Sequence, residues 1–117
     1  MKKVLWISRH NMTQNQLKDL ARIYGKIEIK QIDKTIENAA EIKDSIDECD
    51  IIAVVLPLEK IKDVKEYAKN KPVIQAVSKR VKHGEKLLEN GEVETEYIFE
   101  HICWQELEQI NIVVKVL

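Results

Sequence analysis

Val4-Leu5-Trp6-Ile7-Ser8-Arg9-His10-Asn11-Met12-Thr13-Gln14-Asn15-Gln16 is the stretch that decides the fold. Its four leading apolar residues read as a buried strand. They run directly into the polar group Ser8, Arg9, His10 and Asn11. Thr13, with Gln16 three residues later, is a capping box that opens a helix. The polar group therefore occupies the turn between a first strand and a first helix, where open α/β sheets commonly receive ligands.

Reading outward, Leu17, Leu20, Ala21 and Tyr24 recur at helical spacing over residues 14–24, and Gly25 supplies a stop. Residues 26–32 alternate Ile27 and Ile29 against Glu28 and Lys30, as expected of a half-exposed strand near a sheet edge. Asn38 then caps a second helix over residues 39–49, whose narrow apolar face is Ile42, Ser45, Ile46 and Cys49. Ile51 to Leu56 is an unbroken apolar run. Such a strand belongs in the middle of a parallel sheet covered on both faces. Pro57 ends it, a third helix over residues 58–70 carries Ile61, Val64, Lys65 and Ala68, and Val73 to Val77 forms a fourth strand. This alternation predicts an α/β fold: a small Rossmann-like three-layer domain with a mainly parallel, doubly wound sheet. Strand orders 2-1-3-4 and 3-2-1-4 both satisfy the pattern.

Beyond residue 78 the pattern dissolves. Residues 79–96 read as a charged connection. Tyr97 to Trp104 and Ile110 to Leu117 read as a C-terminal β-hairpin or edge pair, joined by residues 105–109. This element holds three of the six aromatic residues, which suits a homodimer contact, with a lid or a part of the core as the alternatives. The expected organisation is one domain, 1–117, made of a βα core (1–78), a charged connection (79–96) and a hairpin (97–117).

Composition narrows the function classes. Nineteen basic and twenty acidic residues leave a formal net charge of −1, so no global field draws duplex DNA or a membrane surface. The apolar runs are too short for a membrane span, no secretory pattern opens the chain, and a cytoplasmic location is expected. Cys49 and Cys103 read as reduced thiols. His83 and His101 lack carboxylate or cysteine partners at metal spacing, so no metal is expected. With three glycines the chain has no G-x-G-x-x-G, Walker A or G-x-S-x-G stretch, and no cofactor of those kinds is expected.

Four polar groups should converge on the carboxyl edge of the sheet: residues 8–11, 33–35, 57–59 and 78–82. The candidate ligand contacts among them are Ser8, Arg9, His10, Asn11, Pro57, Ser78, Lys79 and Arg80. Arg9, His10, Lys79, Arg80 and Lys82, with the amino end of the first helix, would make an anion cradle suited to phosphate. His10 is the candidate general acid or base, because imidazole titrates near neutrality, and Ser8 is its candidate neighbour in chemistry. The alternative is a set of polar loop residues without a ligand.

The opening strand followed by Ser8-Arg9-His10-Asn11-Met12-Thr13 and Gln16 resembles the start of the small stand-alone CRISPR-associated proteins of the CARF type. The resemblance covers about a dozen residues and the strand–helix order. It implies a homodimeric Rossmann-like domain that binds cyclic oligoadenylate, with Ser8, His10 and Asn11 near the phosphates. It also implies, in some members, metal-independent cleavage in which a ribose 2′-hydroxyl attacks its adjacent phosphate, held in line by polar and basic side chains. A sensor that binds without turnover fits the same residues. From a different class, so does a non-catalytic interaction module of bacterial, archaeal or phage origin.

Overall fold

The computed structural model describes residues 1–108 and 115–117. Its elements are β1 (Lys2–Ile7), α1 (Gln14–Tyr24), β2 (Ile27–Ile32), a 3-10 turn (Ala39–Ile42), α2 (Lys43–Glu48), β3 (Ile51–Val54), α3 (Leu58–Ala68), β4 (Val73–Leu87) and β5 (Val93–Glu106). The strands form one mixed five-stranded sheet in the order β2-β1-β3-β4-β5. The pairs β1–β2, β1–β3 and β3–β4 are parallel, and β4–β5 is antiparallel. The protein is thus α/β with a mostly parallel sheet, and the first four strands follow the 2-1-3-4 order.

The pleat sorts the apolar residues onto two covered faces. Leu5, Ile7, Ile52, Val54 and Val73 point to the side closed by Ile36, Ala39, Ile42, Ile46, Ile61, Val64 and Ala68. Val4, Trp6, Ile51, Ala53 and Ile74 point to the other side, closed by Leu20 of α1 and by Trp104 of β5. All four residues of β3 are at most 2 % exposed, as a strand apolar on both faces requires. β2 lies at the sheet edge, in keeping with its alternating pattern.

Local signals fixed the helix ends. The Gln16 amide donates to Thr13 Oγ1 at 3.2 Å, and the Thr13 amide donates to Gln16 Oε1 at 2.9 Å, completing the capping box. Gly25, at φ 80°, accepts the backbone conformation that ends α1. Residues 39–49 differ from the single helix expected. Asn38 Oδ1 accepts from the Ala40 amide at 3.0 Å, but the first turn closes as 3-10 and α2 begins only at Lys43.

Three further expectations need correction. The apolar run 51–56 stays in the sheet only to Val54; Val55 is exposed, because after its amide donates to the Ile7 carbonyl at 3.3 Å the chain turns toward Pro57. Residues 79–96 are not a loose connection: β4 runs on to Leu87, and β5 begins at Val93. The strand paired with Tyr97–Trp104 is consequently β4, not the segment 110–117. Of that segment, residues 110–114 lie outside the described residues and Lys115–Leu117 belong to no strand.

β4 and β5 together make a ribbon that outreaches the three parallel strands. Register shifts interrupt its ladder at Val77/Ser78 and Lys82/Gly84, where one strand carries an extra residue. The radius of gyration, 17.7 Å, records this projection. A globular domain of about 100 residues has about 13 Å. At its root the ribbon is bolted to α1: His101 Nε2 lies 2.9 Å from Asp19 Oδ2, and Trp104 Nε1 donates to the Gln16 carbonyl at 3.2 Å. The His101 hydrogen bond, and after it that of Arg22, hold the Asp19 carboxyl below its ordinary pKa. Cys49 is buried and Cys103 half-buried, both as free thiols; burial pushes the Cys49 thiol up.

Candidate functional site

The sheet order reverses direction between β1 and β3, since the chain leaves β1 toward β2 on one side and later returns to β3 on the other. Crevices at such switch points, outside the strand carboxyl ends, are where open α/β sheets hold ligands. A cleft of about 200 Å³ lies there, lined by Ile7, Ser8 and Arg9 from the end of β1, Lys34, Thr35 and Ile36 after β2, and Val55, Leu56, Pro57 and Lys60 after β3. Three cationic side chains and two hydroxyls face a space with no carboxylate in its lining.

The chain folds this way locally because the 8–10 turn is clamped. Trp6 and Gln31 are register partners on β1 and β2. Trp6 Nε1 donates to the His10 carbonyl at 2.8 Å, and Gln31 Nε2 donates to the same oxygen at 3.2 Å and to the Ser8 carbonyl at 3.0 Å. The His10 amide donates to Ser8 Oγ at 3.1 Å, which closes the turn from within. Neighbouring residues then diverge: the His10 backbone is held over the Trp6 side of the sheet, while the Arg9 guanidinium donates to Thr35 Oγ1 in the cleft.

On the opposite wall, Lys60 Nζ donates to the Ile36 carbonyl, tying α3 to the loop after β2. Pro57 precedes α3 without a side-chain cap, and the first intrahelical bonds run from the Lys60 and Ile61 amides to the Pro57 carbonyl at 3.0 and 3.1 Å. The Leu58 and Glu59 amides, one turn too early for a carbonyl of the helix, form its positive end. Fixed cations, hydroxyl donors and a helix amino end together suit an anion such as phosphate.

The predicted residues separate into three groups. Ser8, Arg9 and Pro57 line the cleft. His10 and Asn11 are exposed and lie outside its lining. Ser78, Lys79 and Arg80 do not come to the cleft, because β4 carries them outward on the ribbon, opposite His101, Glu100 and Phe99. Lys34 and Thr35 belong to the group expected after β2. Lys60 and Ile36 were not singled out: Lys60 is signalled only by Pro57, which starts a helix and so places its fourth residue back over the strand end. The amino end that faces the cleft is that of α3, not of α1.

Among the described residues, no group of three or more His, Cys, Asp or Glu is arranged to hold a metal ion. No described helix is long and apolar enough to cross a membrane. Compared with protein families, curated proteins and solved structures, the chain matches none.

Proposed function

We propose that the chain is a Rossmann-like domain that binds a phosphate-bearing small nucleotide in the β1/β3 cleft, with cyclic oligoadenylate the ligand class its N-terminal motif suggests. The observation that carries this reading is the carboxylate-free cleft in which Arg9, Lys34 and Lys60 meet Ser8 and Thr35 at the switch point. Binding is the better supported half. His10, the one imidazole of the opening motif, lies outside the cleft lining, and no acid–base pair stands within it. Where turnover occurs, the ligand's own 2′-hydroxyl attacks the adjacent phosphorus to close a 2′,3′-cyclic phosphate, the bond from that phosphorus to the 5′-oxygen of the next ribose breaks, and the departing 5′-oxygen takes up the proton. Arg9 and Lys60 then neutralise the charge on the phosphoryl oxygens.

The test is a thermal-shift and calorimetric panel of cyclic oligoadenylates, linear adenylates and inorganic phosphate, with product formation followed in parallel. A shift with at least one cyclic member is expected. Arg9→Ala and Lys60→Ala should each weaken it about tenfold or more, the worth of a charge-assisted hydrogen bond. Lys79→Ala and Arg80→Ala should leave it unchanged. No shift with any member at saturation would overturn the proposal.

A further inference from the structure

The cleft carries more positive charge than one phosphodiester can neutralise. Arg9 after β1, Lys34 after β2 and Lys60 on α3 line it, and no carboxylate does. None of the three is in an ion pair among the described residues. Arg9 and Lys60 are each engaged within the wall, on Thr35 Oγ1 and on the Ile36 carbonyl. Lys34 is not: among the described residues its ammonium has neither a hydrogen bond nor an ion pair.

The rest of the wall is largely apolar. Ile7, Ile36, Val55, Leu56 and Pro57 make up half of the ten lining residues. Ile7 and Ile36 are closed off in the core, whereas Val55 is 54 % exposed. An apolar side chain held open beside fixed cations suits an organic group attached to the anion. The volume, about 200 Å³, lies below the roughly 300 Å³ at which sites for larger ligands begin. One phosphate and the group that bears it fit such a space; a chain of them does not.

We infer that the cleft selects a terminal phosphomonoester of a nucleotide or sugar, taken as the dianion, with Lys34 answering its second charge. The inference rests on the reading of the cleft as a phosphate site and narrows it. A phosphodiester, the linkage inside a cyclic oligonucleotide, carries one negative charge and has two of its four oxygens esterified. A terminal monoester carries close to two charges at neutral pH and offers three free acceptor oxygens. Those three oxygens match three cationic donors brought from three different elements.

Calorimetry with four ligands tests it: adenosine 5′-monophosphate, its methyl diester, ribose 5-phosphate and inorganic phosphate. At pH 7.5 the monophosphate should bind about tenfold or more tightly than its methyl diester, from which it differs by one charge. The second ionisation of a phosphomonoester lies near pH 6, so at pH 5 only about a tenth of it is dianion. The preference over the diester should therefore shrink about tenfold between pH 7.5 and pH 5. Lysine and arginine are cations across that range and the diester keeps its single charge, so the ratio reports the ligand's own proton. Lys34→Gln should lower the preference at pH 7.5 several-fold, with the diester's affinity nearly unchanged and circular dichroism unaltered. Val55→Ser should weaken both organic monoesters and spare inorganic phosphate. Either order of adenosine 5′-monophosphate and ribose 5-phosphate supports the inference, and the order tells whether a base is read. Equal binding of monoester and diester, a preference that ignores pH, or one that survives Lys34→Gln intact would each overturn it while leaving the cleft a phosphate site. Inorganic phosphate as tight as both organic monoesters would overturn it too. Silence from all four ligands would overturn both this inference and the reading beneath it.

Discussion

β3 and the outer half of β4 belong to one sheet, yet every side chain of β3 is closed from water while most of those on the outer half of β4 are exposed. The difference lies in what covers them. β3 is flanked by two strands and roofed on both faces, so its stability is that of the core. The outer ribbon has only its own ladder and its bolts to α1, and long charged side chains hold its surface. Identical backbone rules thus yield one region fixed by burial and another fixed by pairing alone, which should open locally at far lower free energy.

Ile52→Ala removes apolar volume from the middle of the roofed strand and should cost about 3 kcal/mol in urea unfolding. Val81→Ala, the same kind of deletion on the ribbon, should cost less than about 0.5 kcal/mol. Equal costs would break the distinction between the regions. A finer probe uses the two glycines at positive φ, Gly25 at 80° and Gly91 at 86°. Alanine at either strains the backbone by about 1–3 kcal/mol. At Gly25 the strain should lower the global midpoint. At Gly91, in the ribbon's turn, it should appear only as faster amide exchange near residues 85–95.

The bolts between the regions have a pH signature. Because Asp19 is held below its ordinary pKa in the folded chain, its hydrogen bonds add stability above the ordinary carboxylate range. That stability is lost as pH falls through the depressed value. Asp19→Asn should therefore lower stability at neutral pH and flatten the acid limb of the unfolding curve; an unchanged limb would show that the bolt carries no load. The smallest effect is expected at Lys30–Glu48, an exposed pair 2.8 Å apart on the body surface, where Lys30→Ala should leave the thermal midpoint within error.

The same division explains what could be read from the sequence. Where burial selects residues, it leaves a period: Ile61, Val64 and Ala68 for α3, Ile51 to Val54 for β3, and the capping box for α1 are all visible because a core or an orphaned amide demanded them. Residues 79–87 answer to no core, so both faces tolerate charge and the strand period disappears. The cleft was half legible for a related reason. Ser8 and Arg9 announce themselves after an apolar run, whereas Lys60 looks like any solvated helix lysine until strand order places it. The pull of His10 away from Arg9 depends on Trp6 and Gln31 being register partners, a relation between strands that sequence spacing does not carry.

The chain's two tryptophans meet at the seam between these regions. Trp6 lies beneath the turn that carries Arg9, Trp104 lies at the ribbon root, and their rings are 5.9 Å apart at 81°. Optically they are one coupled chromophore with two inputs. Their shared near-ultraviolet dichroism should register a rearrangement of the clamped turn from one end and a loosened ribbon from the other, so a label-free signal can time both events in the same sample.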